Sequence, residues 1–309
     1  MKKVFIDGKE GTTGLRIYDR LKDRKDIELI LLSDSDRKSY DCRKKAINSS
    51  DITILCLPDS IAMESVSMVE NDKTIIIDCS TAHRTEQGWV YAFPELYKDF
   101  ESVVKRNKRF AVPGCHASGV IALVKPLIDS GILDRNALLT ITSITGYSGG
   151  GKKMIAEYEA ENRCSLFDFP RQYAISTNHK HLKEIVKISG LTNTPNFMPI
   201  VGDFYSGMQV VIPIFSTYLK NNKGLNDIIA EYKKQYNNEI VFYSEENENG
   251  FLSSGIMANK DSMSISAFGG EDRILLCARY DNLGKGASGS AVECLNYILK
   301  EDKAKDLVL

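Results

Sequence analysis

Val4-Phe5-Ile6-Asp7-Gly8-Lys9-Glu10-Gly11-Thr12-Thr13-Gly14-Leu15 begins with three apolar residues, passes three glycines and continues as an amphipathic segment to Leu21. That order predicts a strand, a glycine-rich turn and a helix. Ile27 to Leu32 follows as a nearly continuous apolar run, which predicts a second, buried strand. Glycines at such a turn let the backbone approach a pyrophosphate whose charge rests on the helix N-terminal amides. Gly8, Gly11 and Gly14, with Thr12 and Thr13, are therefore candidate cofactor-binding residues. The spacing is G-x-x-G-x-x-G rather than G-x-G-x-x-G, so a turn with no ligand stays open as a reading.

The alternation continues through a strand at Asp51 to Pro58, a helix from about Ser60 to Glu70 and a strand at Thr74 to Ser80. Alternating buried strands and helices predict a doubly wound parallel sheet. Ligands on such sheets lie beyond the carboxyl ends of the strands, the edge where Pro58, Asp59, Ser80, Thr81 and Cys115 fall. We expect the glycine-rich turn and the thiol to share that crevice. After the second strand, Ser33-Asp34-Ser35-Asp36-Arg37-Lys38 mixes acids suited to a free ribose hydroxyl with serine and arginine suited to a 2′-phosphate, which leaves NAD against NADP open.

Arg109 to Val112 reads as a short strand, Pro113-Gly114 as a tight turn, and Val120 to Ile128 as a helix ending before Gly131. Cys115 thus stands at a helix N-terminus, where open amides favour the thiolate over a thiol whose ordinary pKa is about 8.5. A small buried hydrophobe is the competing reading. Beyond residue 116 the β-type runs Leu138 to Thr145, Met208 to Phe215 and Ile274 to Tyr280 predict an α+β domain. Gly146 to Lys153, with Gly149 and Gly150, leads into a helix through Glu161 and has the composition of a phosphate cradle or a flexible turn. His179-Lys180-His181 precedes Leu182, Ile185, Val186 and Ile188 and is expected to start an amphipathic helix. Either histidine suits acid–base work beside a thiol. As residues two apart on a regular helix they would not share a metal, and a surface pair is the plainer alternative.

The chain has 309 residues, 43% hydrophobic and 26% charged, with a net charge of −1, which allows two domains and shows no nucleic-acid footprint. Seven cysteines without a C-x-x-C pair speak against a disulfide framework or a structural zinc site, so no metal is expected and the other six thiols read as packing. No signal-peptide or membrane-span pattern is present, and a cytoplasmic location is expected.

Together, "VFIDGKEGTTGL", "LCLPD" at 55 to 59, "DCSTAHR" at 78 to 84, "VPGCHASG" at 112 to 119, "GYSGGGKKMI" at 146 to 155, "HKHLKEI" at 179 to 185, "GMQVVIPI" at 207 to 214 and "DNLGKGASGSAVECLN" at 281 to 296 resemble the short-type N-acetyl-gamma-glutamyl-phosphate reductases in that family's order. The resemblance implies a Rossmann NADP-binding domain over 1–115, completed by a C-terminal helix at 286–309, and a glyceraldehyde-3-phosphate-dehydrogenase-like catalytic and dimerisation domain over 116–285. It implies NADPH-dependent reduction of N-acetyl-L-glutamyl 5-phosphate through a Cys115 thioester, in a homodimer or homotetramer. His181 is then the acid–base group, with His179 second and Glu184 orienting the imidazole. Ser33, Arg37, Pro58, Ser80, Gly149, Gly150, Asn282 and Gly286 join the glycine turn around NADP(H), and Arg84, Lys152 and Arg163, with Lys180, are cations for the substrate. The family's usual proline before that glutamate is Lys183 here, which leaves the start of the helix open. Aspartyl and N-acetyl-aminoadipyl phosphates are alternative substrates, since a methylene is worth only about 1–3 kcal/mol of discrimination. A non-catalytic NADP-binding regulatory module is the alternative of another class, against which Cys115 and His181 both stand. A cysteine hydrolase would leave the glycine-rich first domain without a purpose.

Overall fold

In the computed structural model, which describes residues 1–309, Val4, Phe5 and Ile6 are buried in β1 (Lys2–Asp7). α1 (Thr12–Leu21) turns Gly14, Ile17 and Leu21 inward, and β2 (Ile27–Ile30) pairs in parallel with one side of β1. α2 (Tyr40–Ser49) leads to β3 (Ile52–Leu55), which pairs with the other side of β1. α3 (Asp59–Ser67), β4 (Ile75–Asp78), β5 (Val90–Tyr91), α4 (Phe100–Arg106) and β6 (Arg109–Ala111) complete a six-stranded parallel sheet of order β2-β1-β3-β4-β6-β5. The connection reverses direction between β1 and β3, and the carboxyl ends of those two strands form the switch point at which such sheets bind ligands. Helix α3 stops short of the expected Glu70 because Asn48 intervenes: its Oδ1 accepts from the Glu70 amide at 2.8 Å while its Nδ2 donates to the Met68 carbonyl at 2.8 Å.

α5 (Cys115–Asp129), β7 (Thr140–Gly146), α6 (Gly151–Glu159), β8 (Arg171–Gln172), α7 (Leu182–Ser189), β9 (Asn196–Gly202), β10 (Met208–Phe215), α8 (Leu225–Gln235), β11 (Val241–Tyr243), β12 (Met263–Gly269) and β13 (Arg273–Tyr280) follow. The seven strands form a mixed sheet of order β11-β12-β13-β10-β7-β9-β8. α5 lies against β10 and β13, flanked by α7 and α8, and is buried along nearly all its length. Pro126 interrupts it, removing the amide that would serve the Ala122 carbonyl. The Tyr236 hydroxyl donates to that carbonyl at 2.7 Å, and the Tyr232 hydroxyl donates to the neighbouring Leu123 carbonyl at 2.6 Å. α6 ends two residues before the expected Glu161, and β7 begins two residues after the expected Leu138, which is exposed.

One turn of π-helix at Gly284–Ser288 precedes α9 (Gly289–Leu299), so the regular helix starts three residues beyond the expected Gly286. By contacts the chain forms two compact units, Met1–Gly114 with Ala287–Leu307, and Cys115–Gly286 with Val308–Leu309. α9 supplies Ala291, Val292, Cys294 and Leu295 to the same apolar cluster as Val4, Ile6, Ile54 and Ile77. Tyr297 meets Phe100 edge-on at 5.1 Å, and Asn296 accepts from Arg24 at 2.6 Å.

At the end of β1 the buried Asp7 carboxylate is held by Arg43 of α2, whose Nε and Nη2 lie 3.2 and 3.1 Å from its Oδ2, and by the Ser65 hydroxyl at 3.0 Å. Removing one partner of a buried pair leaves the other charge uncompensated. Arg43→Met is expected to lower the unfolding free energy by about 3–5 kcal/mol in denaturant titrations, with Asp7→Leu in the same chain restoring most of it. A loss under about 1 kcal/mol, the value of an exposed pair, would mean that water screens Asp7.

Candidate active site

In the first unit the loops after β1 and β3 touch backbone to backbone. Gly8 has φ +88°, and a Cβ there would run into the Cys56 carbonyl oxygen. Gly14 packs α1 onto the same turn, since its Cβ would meet the Gly8 carbonyl, to which the Gly11 amide donates at 3.0 Å. Thr12 and Thr13 open α1, whose first turn carries no acidic side chain. Beside this turn is a cavity of about 170 Å³ lined by Asp7, Gly8, Lys9, Leu32, Arg37 and Leu57, among others. Ser33 donates to Asp36 at 2.8 Å, and Arg37 lies 3.0 Å from the exposed Asp34. The acids of this segment therefore face its own serine and arginine.

Pro58 precedes α3, and Asp59 at its start accepts from the Thr81 amide at 2.8 Å, which ties the ends of β3 and β4 together. Ser80 donates to the buried Asp78 at 2.7 Å, and His83 Nδ1 lies 2.6 Å from the same carboxylate with its ring stacked on Trp89. Arg84 is buried and directs its guanidinium to backbone, 2.8 Å to the Val112 carbonyl and 3.1 Å to that of Cys79. That geometry braces the loop rather than presenting a cation.

In the second unit Cys115 is the first residue of α5 and is partly exposed, so its thiol adjoins the open amides of the helix end. Burial pushes Cys277 up to about 11 and Cys294 well above the ordinary range, while Cys56 is raised by its hydrogen bond with Cys79 as well as by burial. Cys164 is exposed, against the packing role expected for it.

His116, the residue after the thiol, is buried at the centre of a histidine cluster, with the His179 ring 5.4 Å and the His181 ring 5.8 Å away and those two 4.8 Å apart. His179 and His181 are therefore not on a regular helix. They lie in the turn before α7, with His181 as its N-terminal flanking residue, and the turn folds the rings together. Helix α7 starts at Leu182, which answers the question raised by Lys183. His179 Nδ1 accepts from the His181 amide at 3.2 Å. His116 is fixed by the Ser143 hydroxyl at 2.7 Å and the Tyr173 hydroxyl at 2.6 Å. Glu184 is buried in the first turn of α7, three residues after His181.

Asn282 is buried, donating to the Ser148 hydroxyl at 3.0 Å and accepting from the Gly207 amide at 3.0 Å, which anchors the turn carrying the exposed Gly149 and Gly150. A Cβ on Gly286 would lie 3.1 Å from that of Cys115. Lys152 is exposed in the first turn of α6. Arg163 is committed elsewhere, with Asp203 at 2.7 Å and Asp168 at 2.5 Å. His116, Ser143, Tyr173 and Tyr280 were absent from the sequence-derived site. Only His116 had a signal, its place next to the thiol.

Residues 3–102 match the family model described as semialdehyde dehydrogenase, NAD binding domain, and residues 115–282 match that described as semialdehyde dehydrogenase, dimerisation domain. The chain is similar to N-acetyl-gamma-glutamyl-phosphate reductase 2 of Nostoc sp., 41% identical with 96% of each chain covered. It is similar to the N-acetyl-gamma-glutamyl-phosphate reductases of Chelativorans sp. and Brucella ovis, at 40% and 39% identity over 96% of this chain and 98% of each relative. Among solved structures it resembles aspartate semialdehyde dehydrogenase II from Vibrio cholerae complexed with ASA, with a TM-score of 0.73, 14% identity and coverage of 97% and 98% of the two chains. The aspartate semialdehyde dehydrogenase from Francisella tularensis gives 0.71 at 14%, covering 96% and 100%. At such identities the likeness shows the fold alone.

Burial holds His116 down to about 3 and His179 down to about 4, so both are neutral at pH 7. Their unfolded value is about 6.5. Below it the unfolded chain takes up protons that the folded one refuses, so stability falls as pH drops from about 6.5 toward 4. Unfolding curves at stepped pH should show this fall, shallower in His116→Gln. An equally steep fall in that variant would assign it to other groups.

Proposed function

The chain belongs to the semialdehyde dehydrogenase family, and we propose that it reduces N-acetyl-L-glutamyl 5-phosphate to N-acetyl-L-glutamate 5-semialdehyde and phosphate with NADPH, in L-arginine biosynthesis. The observation that carries the chemistry is a partly exposed thiol as first residue of α5, with His179 and His181 packed on the residue that follows it. Relatives at 39–41% identity over 96% of the chain support the substrate.

The residues at the β1–β3 switch point suit a dinucleotide: two glycine positions with no room for a side chain, and helix α1 opening without an acid. Arg37, which lines the cavity, and Ser33, which follows the lining Leu32, suit a 2′-phosphate, and the nearby acids are engaged within the segment. When bound, NADPH supplies a hydride to the acyl carbon.

Cys115 as thiolate attacks the acyl carbon, the bond to phosphate breaks, and a thioester to Cys115 remains. Amides at the start of α5 stabilise the oxyanion of the tetrahedral species. Lys152, exposed in the first turn of α6, is assigned to the departing phosphate. His181 is the acid–base group, protonating the oxygen of the thiohemiacetal and removing that proton as the carbon–sulfur bond breaks and the aldehyde leaves. His179 is the less suited of the two, because its Nδ1 lone pair already accepts from the His181 amide and burial keeps the ring neutral. Glu184, three residues on, orients His181.

The dimerisation-domain match supports assembly into an oligomer, which we read as a homodimer or homotetramer. No helix is long and apolar enough to cross a membrane, and we assign the enzyme to the cytoplasm.

In the reverse direction, with the semialdehyde, phosphate and NADP, Cys115→Ser is expected to lower kcat on the order of 10⁴–10⁶-fold. Surviving turnover would overturn the nucleophile. Failure of the wild type, with turnover of the aspartyl or N-acetyl-aminoadipyl semialdehyde instead, would reassign the substrate. Loss of a charge-assisted hydrogen bond in Arg37→Ala should weaken NADPH binding about 10–100-fold in fluorescence titrations while leaving NADH nearly unchanged. Equal weakening of both would remove Arg37 from 2′-phosphate recognition.

A further inference from the structure

The reading of Cys115 as the nucleophile raises the question of what holds it, since it begins a helix and helix ends fray. Chemistry at a thiol requires its placement to within roughly 0.5 Å. In an α-helix whose first residue is Cys115, the Gly119 amide is the partner four residues on for the Cys115 carbonyl, which makes this the backbone pair that involves the thiol's own residue. The Tyr280 hydroxyl bridges this pair from outside the helix: it accepts from the Gly119 amide at 3.1 Å and donates to the Cys115 carbonyl at 2.5 Å.

Three further features support the bridge. Tyr280 is fully buried at the end of β13, paired with Met208 on one side and Met263 on the other, so its ring is carried by the middle of the sheet. Glycine within a helix costs roughly 1 kcal/mol relative to alanine, yet residue 119 has to be glycine, because a Cβ there would lie 2.7 Å from the Tyr280 hydroxyl and 2.8 Å from its ring. Burial raises the phenol well above its usual range, keeping it a donor at working pH. On the other side of the thiol's stem, Gly286 leaves 3.1 Å between its hypothetical Cβ and that of Cys115. Gly286 is itself set by its amide's bond to the Asp281 carbonyl at 3.0 Å, one residue after Tyr280.

We propose that Tyr280 is a positioning residue for the reaction: its hydroxyl pins the backbone of Cys115 while Gly286 bounds the β-carbon, so that the nucleophile is aimed by the end of β13. This rests on the assignment of Cys115 as nucleophile.

The test uses two hydroxyl deletions on one helix. Tyr236→Phe unpairs the Ala122 carbonyl far from the thiol and should lower the thermal midpoint with kcat unchanged. Tyr280→Phe keeps the ring and should lower kcat about tenfold or more, the effect of a nucleophile held less accurately for attack. KM values should stay near those of the wild type, and alkylation of Cys115 by iodoacetamide, read by peptide mass spectrometry, should change in its rate-against-pH profile. Tyr280→Phe behaving like Tyr236→Phe in both readouts would overturn the proposal. Cys115→Ser in parallel keeps the two ideas apart, because turnover surviving there overturns the nucleophile, whereas turnover lost there with an unaltered Tyr280→Phe overturns only the tyrosine. Amide hydrogen exchange on the wild type gives a check independent of either variant's folding. Protection at Gly119 equal to the middle of α5 is expected, and rapid exchange there would overturn the pinning.

Discussion

A helix buried on nearly every side has no water to satisfy the backbone groups it leaves open, and each such group costs about 1–3 kcal/mol if unpaired. α5 is such a helix, and it has two weak places, its first turn and the break at Pro126. Three tyrosine hydroxyls serve them. Tyr232 of α8 and Tyr236 just past its end reach the carbonyls of Leu123 and Ala122, and Tyr280 of β13 joins the first turn. The helix that presents Cys115 is thus fixed along its length by directional bonds as well as by apolar packing, which alone leaves a helix free to slide or turn. The histidine cluster uses the same anchorage, because His116 is the second residue of α5 and the rings of His179 and His181 pack on it.

The first unit depends on close backbone approach instead. Gly8 on Cys56 brings the ends of β1 and β3 together with no side chain between them, and Gly14 on Gly8 seats α1 on the same turn. Asp7 immediately before this turn cannot drift, since Arg43 and Ser65 hold its carboxylate from behind. Rigidity behind the turn and a helix start with no side-chain cap in front of it are what an anion site at a helix start requires.

Much of this was legible in local sequence. The strand, glycines and helix of the first thirty residues each rest on short-range pattern, as does a thiol at the start of an apolar helix, and the elements formed where those patterns lie. What escaped depends on residues far apart in the chain. Tyr280 lies 165 positions from Cys115, and nothing around it marks its hydroxyl as the one that meets the first turn of α5. Arg163 looked like a substrate cation until Asp203, forty residues on, took its guanidinium. The histidine pair was misjudged through a local assumption: helical spacing separates residues two apart, and the turn before α7 is not helical. Asn48 ended α3 early by a capture across 22 residues, which no propensity expresses.

The return of α9 has a consequence for the order of synthesis. Chains emerge from the ribosome N-terminus first, and a leading domain ordinarily folds before the next is made. Here the cluster around Val4 and Ile54 includes Ala291, Val292, Cys294 and Leu295. When residue 286 has been translated, the catalytic unit lacks only Val308 and Leu309, whereas the unit that began the chain still lacks a helix of its core. The half made first is therefore the half finished last, and its apolar face must stay protected through translation of the intervening residues.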